Sequence, residues 1–344
     1  MEARFVLSKK IVKKQVKILE DLGLKISYSY KTNREIGNIL QEISDVDFSI
    51  HAREEIEMIK NKEKVWFFIQ AELENELEEI LGKGIRNLVI DNKIDLQRLL
   101  KVIEKKQVKI NLSLRMKFQE HRIGTGKYFV YGMGSKDINE IITKIKNNQF
   151  IDKLGVHIHR KSQNTSEWEI QQELEDSLTK DNLVRLNIIN LGGGLPSRYR
   201  GYTSDVMSYI SEKLKNTVQW LEKFNIKAFI EPGRFIAAPP IKLEVEIIQI
   251  QGKNIIVNTT IYNCCLDTIL TGTKMLVEKE LSENEEGEFY LIKGNSPTRD
   301  DIFRYQVKLE NPKVGDKITF LNAGAYNYTT DFFGYKKLIT EVID

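Results

Sequence analysis

Between residues 25 and 231, short runs of β-branched and aromatic residues alternate with charged stretches of helical character. This alternation constrains the fold more than anything else in the chain. There are eight runs: KISYSY (25–30), VDFSI (46–50), KVWFFIQ (64–70), RNLVID (86–91), VKINLSL (108–114), LGVHIH (154–159), RLNIINL (185–191) and IKAFIE (226–231). Strands separated by helices pair in parallel, because a helix makes each return across the sheet. Eight of them, with intervening stretches such as EEIEMIK, ELENELEEILGKG and DINEIITKIKNN, meet the requirement of a (β/α)8 TIM-like barrel; an open doubly wound sheet is the other solution.

After Pro239 and Pro240 the texture changes. IKLEVEIIQIQGKNIIVNTTIY alternates with a hairpin signal at QGKN, and EFYLIKG and KITFLNAG follow as further strands. The expected organisation is therefore an α/β barrel over 1–240 followed by an all-β domain over 241–344, with ENEEGE (283–288) as a solvated loop. A chain of 344 residues that is 41% hydrophobic can bury cores of this size.

Charge and cysteine usage narrow the function classes. The 52 Lys+Arg and 49 Asp+Glu leave a net +3, a mixed surface that does not point to nucleic acid. The basic run KKIVKKQVK has Ile11, Val12 and Val16 at helical spacing, so it reads as the solvated face of a helix. Cys264 and Cys265 are the only cysteines and are adjacent, a poor arrangement for an unstrained disulfide. The N-terminus lacks the apolar core of a signal peptide, and no apolar run approaches the roughly 20 residues that span a bilayer. A cytoplasmic protein with no membrane partner is expected.

A barrel places its chemistry at the carboxyl ends of its strands. There the sequence has Lys31 after the first run, His157 and His159 in the sixth, Gly192, Gly193 and Gly194 after the seventh, and Glu231-Pro-Gly-Arg234 after the eighth. Loops after the last two strands are the usual phosphate site of this architecture, since backbone N–H groups there can approach an anion closely. The histidines at i, i+2 share one face of their strand. That spacing suits a metal, but the flanking sequence offers no cysteine and no spaced carboxylate; the other reading of His157 is a histidine hydrogen-bonded beneath His159.

Taken in order, these motifs resemble the fold-type III pyridoxal 5′-phosphate (PLP) dependent decarboxylases, the group acting on ornithine, diaminopimelate, arginine and carboxynorspermidine. YSYKTN (28–33) resembles the cofactor-lysine segment, which implies a Schiff base on Lys31. VHIHRKSQ (156–163) resembles the His-x-Gly-Ser stretch, which implies His159 against the cofactor ring and Ser162 near its phosphate. Gly192, Gly193 and Gly194 match the phosphate-binding glycines. EPGR (231–234) matches the segment whose glutamate pairs with the pyridinium nitrogen, with Gly233 and Arg234 helping to hold the phosphate. In the β domain, NAGAY (322–326) implies a phosphate contact from Tyr326, and SPTRDDIF (296–303) resembles the segment that reaches a partner subunit's site.

Departures from the family pattern bear on specificity. Arg299 stands where the family's cysteine handles the substrate α-carbon, Lys161 replaces a glycine, and Thr259 occupies the place of an acidic residue found in ornithine-specific members. The resemblance implies a PLP enzyme that decarboxylates a diamino acid or an amino-acid conjugate. In it Lys31, His159, Glu231 and Arg299 act in catalysis, and Arg299 pairs with a substrate carboxylate. Asp300, or alternatively Asp301, would grip a distal ammonium. Arg234 has a second reading as an ion-pair partner within the barrel rim. A homodimer with shared active sites is implied. Two other functions fit parts of the pattern: an amino-acid racemase on the same barrel, against which Glu231 argues, and a non-catalytic regulatory homologue, against which the retained Lys31, Glu231, Arg234 and Tyr326 argue.

Overall fold

The computed structural model describes residues 1–118, 131–201 and 206–344. It divides into two compact units, and the division interleaves along the chain. One unit holds Val16–Pro196 and Asp205–Gly233; the other holds Met1–Gln15, the segment beginning at Ser197, and Arg234–Asp344.

The first unit is the barrel. After a leading strand β1 (Arg4–Ser8), which belongs to the second unit, the strands β2 (Lys25–Ser29), β3 (Asp47–Ile50), β4 (Val65–Ile69), β5 (Asn87–Ile90), β6 (Ile110–Met116), β7 (Ile151–Ile158), β8 (Ile188–Asn190) and β9 (Lys227–Ile230) form a closed parallel sheet. β2 pairs β9 through Lys25↔Phe229 and Ile26↔Ile230, which closes the ring. All eight runs read from the sequence are barrel strands, and the open sheet is excluded. Two bounds differ. β7 begins at Ile151, three residues before the apolar run, and β8 is only Ile188–Asn190. Just before β8, the side-chain oxygen of Asn187 accepts the N–H of Leu154 at 3.0 Å.

The helices between strands are held by their apolar faces. In Ser135–Ile145 the buried residues are Ile138, Ile141, Ile142 and Ile145, the spacing of one helical face. Inside the barrel the alternation of each strand sorts side chains into layers. Trp66, Phe68, Val89, Ile188 and Phe229 form an apolar middle band. At the amino ends of the strands a cavity of about 710 Å³ is lined by polar residues including Asp47, Asn87, Asn111 and Lys227. At the carboxyl ends lies the second polar layer, described below.

The second unit is a mostly antiparallel sheet of β10 (Ile241–Gln251), β11 (Asn254–Val257), β12 (Leu276–Val277), β13 (Glu288–Lys293), β14 (Ile302–Leu309) and β15 (Lys317–Leu321), completed by β1 and β16 (Ile339–Ile343). The hairpin at QGKN is present: Gln251 pairs Asn254, and Gly252 takes φ +59°, as a two-residue turn requires. β1 pairs antiparallel with β10 and parallel with β16, so the first residues of the chain belong with the sheet rather than with the barrel. The helix Lys9–Glu20 follows, with Val12 and Val16 buried and its lysines facing outward. Cys264 and Cys265 are free and buried. No helix among the described residues is long and apolar enough to cross a membrane.

Candidate active site

The segment YSYKTN runs from the end of β2 into a 3-10 turn over Tyr30–Thr32. Tyr28 and Tyr30 are buried on either side of the chain, with the Tyr28 hydroxyl donating to Asn33 O at 2.9 Å and the Tyr30 hydroxyl to Asn38 Oδ1 at 3.0 Å. Asn33 caps the helix Arg34–Ile43 by accepting the N–H of Ile36 at 3.1 Å. Gly37 lets Tyr30 lie on that helix: a Cβ there would sit 2.4 Å from Tyr30 Cε2. Lys31 is thereby presented from the 3-10 turn after β2, exposed at the carboxyl end of the barrel.

Glu231, just after β9, is the most constrained acid of this layer. Its Oε2 lies 2.9 Å from His157 Nε2, and its Oε1 accepts from Ser49 Oγ at 2.8 Å and Asn190 Nδ2 at 2.9 Å. Ser27 supports Ser49 at 2.7 Å. Burial alone would raise this carboxyl, but His157, first through its charge and then through its hydrogen bond, and next Ser49, reverse the effect and hold it at about 2. The histidine pair is thus divided between two tasks. His157 serves Glu231. His159 accepts the N–H of Gly193 on Nδ1 at 3.1 Å, which leaves its proton on Nε2, and burial followed by the charge of His157 pushes its pKa down to about 4.

The glycines are required by close approach. A Cβ on Gly192 would lie 2.0 Å from Ile158 O, and one on Gly194 would lie 2.4 Å from Lys161 O; both have positive φ, +68° and +105°. Gly192 N–H is held by Asn190 Oδ1 at 2.9 Å, while the Gly194 N–H has no partner among the described residues. On the loop after β7, Ser162 is exposed, and Lys161 pairs with Glu167. Gly233 packs on Thr32, whose buried Oγ1 has no hydrogen-bond partner among the described residues.

Reading the sequence missed Ser27, Ser49, Asn190, His51, Asp91 and Arg115. Ser49 and Asn190 hold Glu231 directly, Ser27 backs Ser49, and His51, Asp91 and Arg115 act electrostatically at this end of the barrel. The available signal was polar side chains at alternate positions of otherwise apolar strand runs, which in a barrel point inward.

In the second unit, Arg234 is buried and forks onto Asp267, with NH1 to Oδ2 and NH2 to Oδ1 both at 2.6 Å. Its guanidinium lies 4.9 Å from the ring centre of Tyr326 and 5.8 Å from that of Tyr199. Burial works against the charge, yet the Asp267 hydrogen bonds raise the Arg234 pKa further. The side chain is therefore an ion-pair partner, and its buried Nε has no hydrogen-bond partner among the described residues. Tyr326 is held at φ +57°. Arg299 and Asp300 are exposed. Asp301 differs: it is fully buried and accepts the backbone N–H of Ile261 at 2.9 Å and of Ser296 at 3.0 Å. Its carboxylate organises the loop and is not available to grip a substrate ammonium, a distinction invisible in the run RDD. Thr259 is likewise buried, its hydroxyl on Asn263 Oδ1 at 3.0 Å.

Residues 8–238 match the family described as pyridoxal-dependent decarboxylase, pyridoxal binding domain. The chain belongs to this family. Among curated proteins it is similar to diaminopimelate decarboxylase of Helicobacter pylori, 24% identical over 273 residues; that match takes in 73% of this chain and spans about 65% of the length of the relative. Among solved structures it is similar to the Helicobacter pylori diaminopimelate decarboxylase complexed with L-lysine, with TM-score 0.83 and 20% identity over 100% of this chain and 92% of that one. The arginine decarboxylase of Paramecium bursaria Chlorella virus gives TM-score 0.78 and 18% identity over 100% and 96%. The Vibrio vulnificus lysine/ornithine decarboxylase complexed with cadaverine gives 0.79 and 17% over 100% and 95%. At these identities the solved structures establish the fold.

The barrel's own residues fit the cofactor that the pyridoxal-dependent family binds. Glu231 supplies a fixed anion for a ring nitrogen, Lys31 an amine for the aldehyde, and the glycine turn a backbone donor at Gly194 for the phosphate. The buried atoms Thr32 Oγ1, Ser113 Oγ and His157 Nδ1 add polar groups without a hydrogen-bond partner among the described residues.

Proposed function

We propose that this protein is a PLP-dependent decarboxylase acting on a diamino acid or an amino-acid conjugate. Glu231 carries the reading: a buried carboxylate kept ionised by His157, Ser49 and Asn190. When bound, PLP supplies an electron sink for the pair left behind as carbon dioxide departs. The ionised Glu231 carboxylate would favour a protonated ring nitrogen, the form that withdraws electrons better.

The other residues then have defined tasks. Lys31 Nζ would be the amine that holds the cofactor aldehyde and could carry a proton. His159, neutral and with its N–H on Nε2, would lie against the cofactor ring and orient it. Gly192, Gly193, Gly194 and Gly233 would admit the phosphate, with Ser162 as a further donor to it. Arg299 and Asp300, both exposed, are assigned to substrate recognition: the arginine suits a carboxylate by its planar fork, and the aspartate suits an ammonium. A cytoplasmic homodimer is the working form in this reading; two unpaired buried cysteines suit a reducing compartment.

The test is carbon dioxide release from ornithine, lysine, arginine, diaminopimelate, carboxynorspermidine and carboxylate-bearing conjugates. Protein supplied with PLP should show a visible absorption band that Lys31→Ala abolishes. Formation of the mirror-image amino acid without carbon dioxide would replace the decarboxylase with a racemase, and absence of the band would point to a non-catalytic homologue.

A further inference from the structure

One imidazole at the carboxyl end of the barrel has no hydrogen-bonding task so far. His51 directly follows β3. Its backbone N–H is held by the buried Glu55 carboxylate at 3.1 Å, and its ring stacks on Phe68 with centroids 4.7 Å and planes 16° apart. Phe68 in turn meets His157 edge-on at 5.1 Å and 84°. The packed set that orients Glu231 through His157 therefore also orients His51. The residue is exposed, and neither ring nitrogen has a hydrogen-bond partner among the described residues.

Surrounding protein and then the positive charge of Lys31 push the His51 pKa down, against the opposing pull of Glu231. At neutral pH the ring is uncharged, with one N–H donor and one lone pair. Arg115 lies 5.2 Å over the Tyr131 ring; burial lowers its pKa, while the charges of Glu231 and Asp91 favour its charged form.

We propose that His51 binds substrate by donating its ring N–H to the α-carboxylate, the group that departs as carbon dioxide; this rests on the decarboxylase reading above. A neutral donor can orient that carboxylate without placing a full cation against it. A cation would stabilise the carboxylate more before bond cleavage than during it, and so would oppose the reaction.

The test compares ligands that differ only in the α-carboxylate: ornithine with putrescine, lysine with cadaverine, and arginine with agmatine. Each is titrated into PLP-loaded protein, and the dissociation constant is read from the change in visible absorption. His51→Phe keeps the stack on Phe68 and removes the donor; His51→Gln keeps a donor. His51→Phe should weaken the amino acid of a pair about tenfold and leave its amine unchanged, as for loss of one hydrogen bond to a charged group. His51→Gln should recover part of that loss. Equal weakening of both members, no weakening, or loss of the cofactor band in His51→Phe each overturns the assignment. If wild-type protein shows no band, or responds to no pair, the substrate reading itself fails, which is a separate result.

Discussion

His157 Nε2 and Glu231 Oε2 lie 2.9 Å apart in the buried polar layer at the carboxyl end of the barrel, and the second oxygen of the same carboxylate is held by Ser49 and Asn190. Both oxygens are thus occupied by donors from three different strands or strand ends. The carboxylate has no freedom to turn away or to take up a proton near neutrality.

Glu231→Gln keeps the shape and removes the charge. Turnover should fall by about 10²-fold or more, the usual scale for a preorganised electrostatic contact, while the cofactor band at Lys31 persists. The pH dependence has a definite sign. Because the folded-state pKa of about 2 lies below the ordinary 4.5, the stability contributed by Glu231 is complete above about 4.5 and is lost as pH falls towards 2. Urea midpoints of wild type and Glu231→Gln should therefore converge on acidification; a constant gap from pH 6 to pH 3 would refute this account.

How much of this was legible beforehand differs by residue. The eight strands were readable because each is an apolar run bounded by charged stretches, and Lys31, Gly192–Gly194 and Glu231 were readable because they end those runs. Ser49 and Asn190 were not: a serine or asparagine within an apolar run carries no mark of which partner, 182 or 41 residues away, its side chain will meet. The same holds for β1, whose strand character depends on β10 and β16 at the far end of the chain. Arg234 and Asp301 show the converse, since charged side chains beside family-like motifs turned out to be paired with Asp267 and with loop amides.

Gly192→Ala tests the phosphate turn. The added Cβ would meet Ile158 O at 2.0 Å at a φ of +68°, so the backbone must move. Gly84→Ala is the control: its φ is also positive, at +88°, but the nearest atom is at an ordinary 3.8 Å. The control should lose about 1 kcal/mol from backbone conformation alone. Gly192→Ala should lose more than that and should also release PLP faster on gel filtration, measured as the cofactor absorbance retained per chain.

Asp267→Ala leaves the buried Arg234 guanidinium without its anion. A loss of about 3–5 kcal/mol is expected from the denaturant midpoint. Replacing both residues with apolar ones, Arg234→Met with the smaller Asp267→Val, should recover most of it, because the larger part of the single-variant cost is an unpaired buried charge. Additive losses in the double variant would mean the two side chains contribute independently, contrary to the fork at 2.6 Å.

Asp47, at the opposite mouth of the barrel, carries the reverse pH signature. Its carboxyl accepts Trp66 Nε1–H at 3.0 Å, but burial, offset in part by that bond and by Lys64, pushes it up to about 6 from 3.8. A raised folded-state pKa contributes stability that is complete below about 3.8 and is lost as pH rises through about 6, so near pH 8 the wild-type chain holds a poorly solvated anion. Asp47→Asn retains an oxygen for Trp66 and removes that charge. It should be more stable than wild type at pH 8, by about 1 kcal/mol after allowing for the water that reaches the cavity Asp47 lines, and no more stable at pH 3.5. Urea unfolding at the two pH values decides it: an advantage of equal size at both would trace to the amide's packing, and a disadvantage at pH 8 would show that the lysines around the cavity, Lys25 and Lys227 among them, already compensate the anion.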